Sequence, residues 1–194
     1  CEPDLYRHLG RRFLKLGEAP LAREVAQTAL ELAEMDDAGV SFPLWRHDVK
    51  LRQIYALALA RTGSPDEAQK ELLRLRGEGN VDEETLGILA RTYKDKSCAA
   101  GLGESERAET LATSLQHYRE AYDHSGGFWT GINVATLEHL LGRQDESERV
   151  AREVQKRCTD DLGRQRRLGA TDEETYWHLV TLGEASLNLG RVDE

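Results

Sequence analysis

Prolines number only 4 in 194 residues, aromatics make up 6%, and there is a single methionine. So few prolines leave long stretches free to coil, because an interior proline removes a helix donor and clashes with the preceding turn. No run of β-branched residues alternates with polar ones as a half-buried strand would. No apolar stretch approaches the roughly 18 residues that span a bilayer as a helix, so no membrane partner is expected. The cysteines Cys1, Cys98 and Cys158 are odd in number and widely spaced, which makes neither a disulfide framework nor a zinc pattern. A reducing cytoplasm is the simplest setting. A net charge of −9, from 26 basic and 35 acidic residues, disfavours non-specific nucleic-acid binding. There is no secretory signal and no initiator methionine, so a targeting segment could precede this stretch.

Motifs for catalysis are equally sparse. The histidines His8, His47, His117, His124, His139 and His178 are scattered, without His-Glu-x₂-His or Cys-x₂-Cys spacing. His117 and His124 fall about two turns apart on one helix and could share a metal, although solvated histidines are the commoner outcome. Ser125-Gly126-Gly127 lacks the preceding strand of a nucleophile elbow. No enzymatic activity, no cofactor and no metal are expected.

What the chain has is helix formers (Ala, Leu, Glu and Arg) in a recurring pattern. Tyr6-x₂-Leu9-Gly10-x₂-Phe13, then Gly17, Ala22, Ala26 and Ala29, has the spacing of a tetratricopeptide unit, two antiparallel helices packed through small and aromatic residues. Tyr55-Ala56-x₂-Leu59, Gly63, Ala68, Leu72 and Leu75 repeat the offsets, with Ser64-Pro65-Asp66-Glu67 as N-cap, first-turn proline and capping-box glutamate. A third unit begins Leu86-x₂-Leu89-Ala90-x₂-Tyr93, and its second helix resumes at about Arg107 with Leu115, Tyr118 and Ala121 inward. Val134-Ala135, Gly142, Ser147, Ala151 and Val154 mark a fourth unit. Leu182-Gly183 and Gly190 start a fifth, capped by Thr171 and Glu174. The expected fold is all-α, a right-handed tetratricopeptide-like α-solenoid of about five helix pairs. Residues 1–194 read as one such solenoid and as a fragment of a longer chain.

Two stretches break the rhythm. Lys96 to Ser105, with Gly101 and Gly103, reads as a mobile loop, either a tolerated insertion or a partner-binding element. Asp160 to Asp172, with Arg164-Gln165-Arg166-Arg167 between two glycines, reads as a solvated basic turn.

Three segments carry a narrower resemblance: Asp48-Val49-Lys50-Leu51-Arg52-Gln53-Ile54-Tyr55-Ala56-Leu57-Ala58-Leu59, Leu89-Ala90-Arg91-Thr92-Tyr93-Lys94-Asp95, and Thr130-Gly131-Ile132-Asn133-Val134-Ala135. With Tyr176-Trp177-His178-Leu179 they resemble the TRAF-binding, tetratricopeptide-like central region of the apoptosis signal-regulating kinases, a module that bacterial proteins also carry. The likeness runs from about residue 40 to the end. It departs within the insertion after Asp95 and at His178, where an acidic residue would be more usual. No glycine-rich loop with a strand lysine, no His-Arg-Asp and no Asp-Phe-Gly is present. The resemblance implies a non-catalytic signalling scaffold that holds a partner segment. The alternative is an intramolecular spacer or oligomerisation segment of a larger signalling enzyme.

In stacked repeats the first helix of each pair lines the groove. Arg7, Arg11 and Lys15, spaced by four, would form one stripe there. Lys50 and Gln53, then Arg91 and Lys94, would continue it, and Trp129, Asn133, Thr136 and His139 would come from the fourth unit. Such a groove would take a protein or peptide segment rich in Asp, Glu or phosphate. Alternatively these long side chains only cover apolar surface, Asn133 satisfies donors near a helix start, and Gly131 lets a neighbouring helix come close.

Overall fold

A computed structural model describes residues 3–35, 41–43 and 45–191, with the backbone alone for 33–35, 41–43 and 172–174. Cys1 and the side chain of Glu174 lie outside the described residues. Nine helices follow one another among the described residues. They are α1 (Pro3–Lys15), α2 (Ala19–Glu31), α3 (Val49–Arg61), α4 (Pro65–Gly77), α5 (Glu83–Ser97), α6 (Glu104–Ser125), α7 (Phe128–Leu140), α8 (Gln144–Arg167) and α9 (Asp172–Asn188). Between α2 and α3 the strands β1 (Ala33–Met35) and β2 (Ser41–Pro43) pair antiparallel, Glu34 opposite Phe42. Strands of three residues are too short to show alternation in sequence, which is why the pattern did not announce them.

The chain divides into two compact units, Cys1–Thr92 and Tyr93–Glu194. In unit 1, α1 packs on α2 and α3, α2 on α3, and α3 on α4. In unit 2, α6 packs on α7, α7 on α8 and α9, and α8 on α9.

The helix ends follow from the turn glycines. Gly17, Gly63 and Gly142 adopt φ of 82°, 85° and 75°, a left-handed conformation that costs glycine little. Each lets the next amide reach back to the helix: Glu18 N to Phe13 O, Ser64 N to Leu59 O, Arg143 N to Glu138 O, all at 2.9 Å. This is the Schellman closure, repeated at the offset the repeat demands. The inward residues of the repeats are inside: Ala22, Ala26, Ala29, Ala68, Leu72 and Leu75 are fully buried. Gly10 is buried too, and a Cβ there would stand 2.7 Å from Ile54 Cγ2, so that glycine sets the approach of α1 to α3. Tyr118 and Ala121 are buried on α6 as expected, while Leu9 is exposed and Tyr55 half-buried.

Three local expectations are corrected. Ser64 is the N-cap of α4 and Pro65 follows it, but the serine side chain makes no capping hydrogen bond. Lys96 and Ser97 belong to α5, and Glu104 and Ser105 to α6, so the connection is 98–103. The Arg107 guanidinium crosses it to the Ser97 carbonyl at 2.5 Å. The arginine run lies in the last turn of the 24-residue α8, not in a turn between glycines, where cations meet the negative end of the helix dipole.

Candidate functional site

Among the described residues the first helices carry their own clefts. In unit 1 a cleft of ≈ 310 Å³ is lined by Arg11 and Leu14 of α1, Lys50, Gln53, Ile54 and Leu57 of α3, and Glu84 of α5. Arg11, Lys50 and Glu84 are exposed, whereas Gln53 is 2% exposed. Gln53 Nε2 donates to Asp82 Oδ1 at 2.9 Å and to Thr85 Oγ1 at 2.7 Å. Asp82 also accepts from the Thr85 amide at 3.0 Å, so α5's start and the floor of the cleft are fixed by one carboxylate. Two cations and a carboxylate on an apolar floor suit a charged, partly apolar chain segment.

The other basic candidates stand differently. Arg7 gives its guanidinium to Asp48, with Nε to Oδ2 at 3.0 Å, and to Asp4 at 2.7 Å. Asp48 is the N-cap of α3, accepting from Leu51 N at 2.9 Å. Arg7 thus ties α1 to the beginning of α3. Lys15 and Arg91 are exposed. Arg91 acts on Arg61: burial first, then the Arg91 charge, pull the Arg61 guanidinium below its ordinary value. Arg61 also reaches the Leu14 carbonyl at 3.0 Å.

Unit 2 brings Lys94, Asn133 and Trp129 together. Lys94 Nζ donates to Asn133 Oδ1 at 2.5 Å and lies 5.7 Å from the Tyr118 ring centroid. Asn133 sits inside α7, not at its start, and donates to the Trp129 carbonyl at 2.8 Å. Trp129 meets Tyr118 edge-on at 6.2 Å, and Tyr93 stacks on His117 at 5.6 Å. Gly131 does let a neighbour close in: a Cβ there would be 2.6 Å from both Tyr122 Cε2 and Val154 Cγ2. His139 lies apart from this cluster. It bonds Gln144 at 2.7 Å and, with Thr136, Glu184, Leu187 and Asn188, lines a cleft of ≈ 260 Å³ between α7 and α9.

Sequence reasoning missed the ion-pair networks, because their partners lie far apart along the chain. Arg52, 5% exposed, bonds Glu71 and Glu78 at 2.5 Å each, beside a cleft of ≈ 730 Å³ that includes Arg46, His47 and Tyr55. On unit 2, Arg119 bridges the buried Glu138 at 2.5 Å and Glu146 at 2.8 Å. It also missed a Cys158–His178–Asp161 cluster. Cys158 Sγ donates to the His178 main-chain carbonyl at 3.3 Å, not to the ring, while the ring Nε2 meets Asp161 at 2.7 Å. Burial pushes the Cys158 thiol up to about 11, helped by Asp161, so it stays protonated and a poor nucleophile. The cluster also explains why a histidine suits position 178: a carboxylate there would oppose Asp161. His117 is buried and His124 exposed, bonded to the Glu120 carbonyl at 2.8 Å. Among the described residues no group of three or more His, Cys, Asp or Glu could hold a metal, and no helix is long and apolar enough to cross a membrane.

Comparison with known proteins places this geometry. A thermophilic TPR protein from Thermus thermophilus superposes with a TM-score of 0.71 at 16% identity, over 99% of this chain and 85% of that one. The fold is therefore a tetratricopeptide-like α-solenoid. Mitogen-activated protein kinase kinase kinase nsy-1 of Caenorhabditis elegans is 30% identical over 71% of this chain and 10% of its own length. Mitogen-activated protein kinase kinase kinase 15 of Mus musculus is 26% identical over 68% of the chain, again 10% of that protein. The chain thus spans about a tenth of these relatives. The family model for Tetratricopeptide Repeats-Sensor matches residues 20–138. The chain belongs to the Tetratricopeptide Repeats-Sensor family.

Proposed function

We propose that this chain is a regulatory protein-binding module that holds a partner segment along the first helices of its repeats. The observation that carries the reading is the unit 1 cleft, built from α1, α3 and α5 and holding Arg11 and Lys50 over Leu14, Ile54 and Leu57. Among the described residues Arg11 and Lys50 make no hydrogen bond or ion pair with the rest of the chain, so both cations are available to a carboxylate or phosphate. In unit 2 Lys94, Asn133 and Trp129 also cluster on first helices, with the lysine bonded to the Asn133 oxygen and the Asn133 amide to the Trp129 carbonyl. Likeness to the kinase kinase kinases supports a role in signalling, with the partner presented to a catalytic domain elsewhere.

The test is titration of acidic and neutral peptides against the wild type and Arg11→Glu/Lys50→Glu. Charge-assisted contacts contribute roughly 1.5–3 kcal/mol each when partly desolvated, so the double reversal weakens acidic peptides by at least about tenfold. Rising salt weakens them as well, because exposed charges are screened. Helix content stays unchanged, since both side chains are exposed. Binding indifferent to both salt and charge reversal rejects this reading of the cleft.

A further inference from the structure

A helix at a protein surface normally turns its polar side chains outward. In α9 the order is reversed. Its buried face carries Thr175, His178, Thr181 and Asn188 beside Ala185, whereas Tyr176, Trp177, Leu179 and Leu187 are 49–66% exposed. Tyr176, Val180, Gly183 and Leu187 fall at i, i+4, i+7 and i+11, which is one stripe along the helix. Nothing stands within 4 Å of the carbon that a side chain at Gly183 would add, so this apolar stripe has a dent at its middle.

The same spacing recurs on α1. Tyr6, Gly10 and Phe13 make its better-covered side, while Leu5, Leu9, Arg12 and Leu16 are all exposed, again at i, i+4, i+7 and i+11. Neither stripe lines the unit 1 cleft. The two helices differ in charge. Along α1, Arg7, Arg11, Arg12 and Lys15 stand against Asp4 alone. The α9 sequence holds Asp172, Glu173, Glu174 and Glu184, with no lysine or arginine.

We propose that the α9 stripe of one copy of this chain docks antiparallel on the α1 stripe of a second copy. Leu16 then lies level with Tyr176, Arg12 with Val180, Leu9 with Gly183 and Leu5 with Leu187, so Leu9 fills the dent that the glycine leaves. Charge selects this pairing: α9 on α9 would oppose carboxylates, α1 on α1 would oppose cations, and α1 on α9 joins opposite signs. The antiparallel order also runs Arg12 and Lys15, in the C-terminal half of α1, beside the half of α9 that opens with Asp172, Glu173 and Glu174. The contact is heterologous, so a pair keeps one α1 and one α9 stripe open for further copies. One helix pair buries less than the roughly 1,200 Å² of a standard interface, which makes the contact weak and concentration-dependent. It is independent of the peptide-binding reading above.

The experiment is sedimentation velocity on the chain from about 10 μM to about 1 mM, a range that covers weak association. The wild type is expected to grow past the dimer as concentration rises. Two blocked chains follow, Leu5→Asp/Leu9→Asp and Tyr176→Asp/Leu187→Asp; all four side chains are exposed, so helix content should stay that of the wild type. Each alone is expected to remain a monomer, and their equimolar mixture to give a heterodimer and nothing larger, because each supplies the one stripe the other lacks. Arg12→Glu, added to the chain that keeps its α1 leucines, should weaken the mixed pair about fivefold. The milder Leu9→Gln and Leu187→Gln chains repeat the mixing if either aspartate chain loses helix content. A wild type that is monomeric throughout overturns the proposal, as does a mixture that stays monomeric. A blocked chain that still pairs with itself overturns it too, by showing that a stripe meets its own kind or that another surface is used.

Discussion

A methyl group added at Gly131 has no room. Its carbon would stand 2.6 Å from Tyr122 Cε2 and Val154 Cγ2, both on buried side chains of neighbouring helices. Overpacking of this kind costs about 1–3 kcal/mol, so Gly131→Ala should lower the melting temperature clearly. Gly183 makes the contrast: it lies within α9 with nothing near its added carbon, and Gly183→Ala should stabilise by about 0.5–1 kcal/mol through helix propensity. Thermal melts of the two variants check both signs. The two cysteines among the described residues separate by burial in the same way. Cys98 is exposed, whereas the Cys158 thiol is buried and held up at about 11. In a Cys1→Ser background, a thiol reagent at pH 8 should modify Cys98 promptly and Cys158 only on unfolding, which mass spectrometry would read directly. The small-residue positions were legible in sequence because their role is local to one packed stripe. Gln53 was legible as groove-facing but not as buried, because its partners Asp82 and Thr85 lie 29 and 32 residues away.

Among the helices, α8 shows how far one element can be read from sequence alone. Its inward residues Ser147, Ala151 and Val154 were evident from the repeat, and all are fully buried. Its length was not, because Gly163 and the arginine run suggested a turn where the helix continues to Arg167. Nor was its pairing to α6 through Glu146. The Arg149 hydrogen bond, then Arg119, lowers the Glu146 carboxyl from 4.5 to about 2. A depressed folded-state pKa means stability that is present above about 4.5 and is lost as pH falls toward 2. Denaturant melts across that window should therefore show a loss of stability that Glu146→Gln flattens. The glutamate is about a third exposed, and solvent screening keeps the effect modest. Equal pH profiles for the two proteins would show that the contact is not coupled to folding.

For the molecule as a whole, the fold class was carried by spacing: an aromatic, small residues and a turn glycine at repeated offsets dictate paired helices wherever they occur. The binding residues were less legible, because a periodic stripe names a helix face and not the groups opposite it. Arg7 shows this, being on the expected stripe yet committed to Asp48. Arg11 and Lys50 share a cleft, while Lys94, Trp129 and Asn133 form a cluster of their own in unit 2. His139 faces the cleft between α7 and α9 with Glu184, and no lysine or arginine lines it. The proposed site places a partner segment on the first helices of the repeats. It is tested most directly by selecting a binder from a random dodecapeptide library and mapping amide hydrogen exchange with and without it. Added protection is expected on α1, α3 and the start of α5; protection confined to α2 and α4, or a library that yields no binder, would overturn the proposed site.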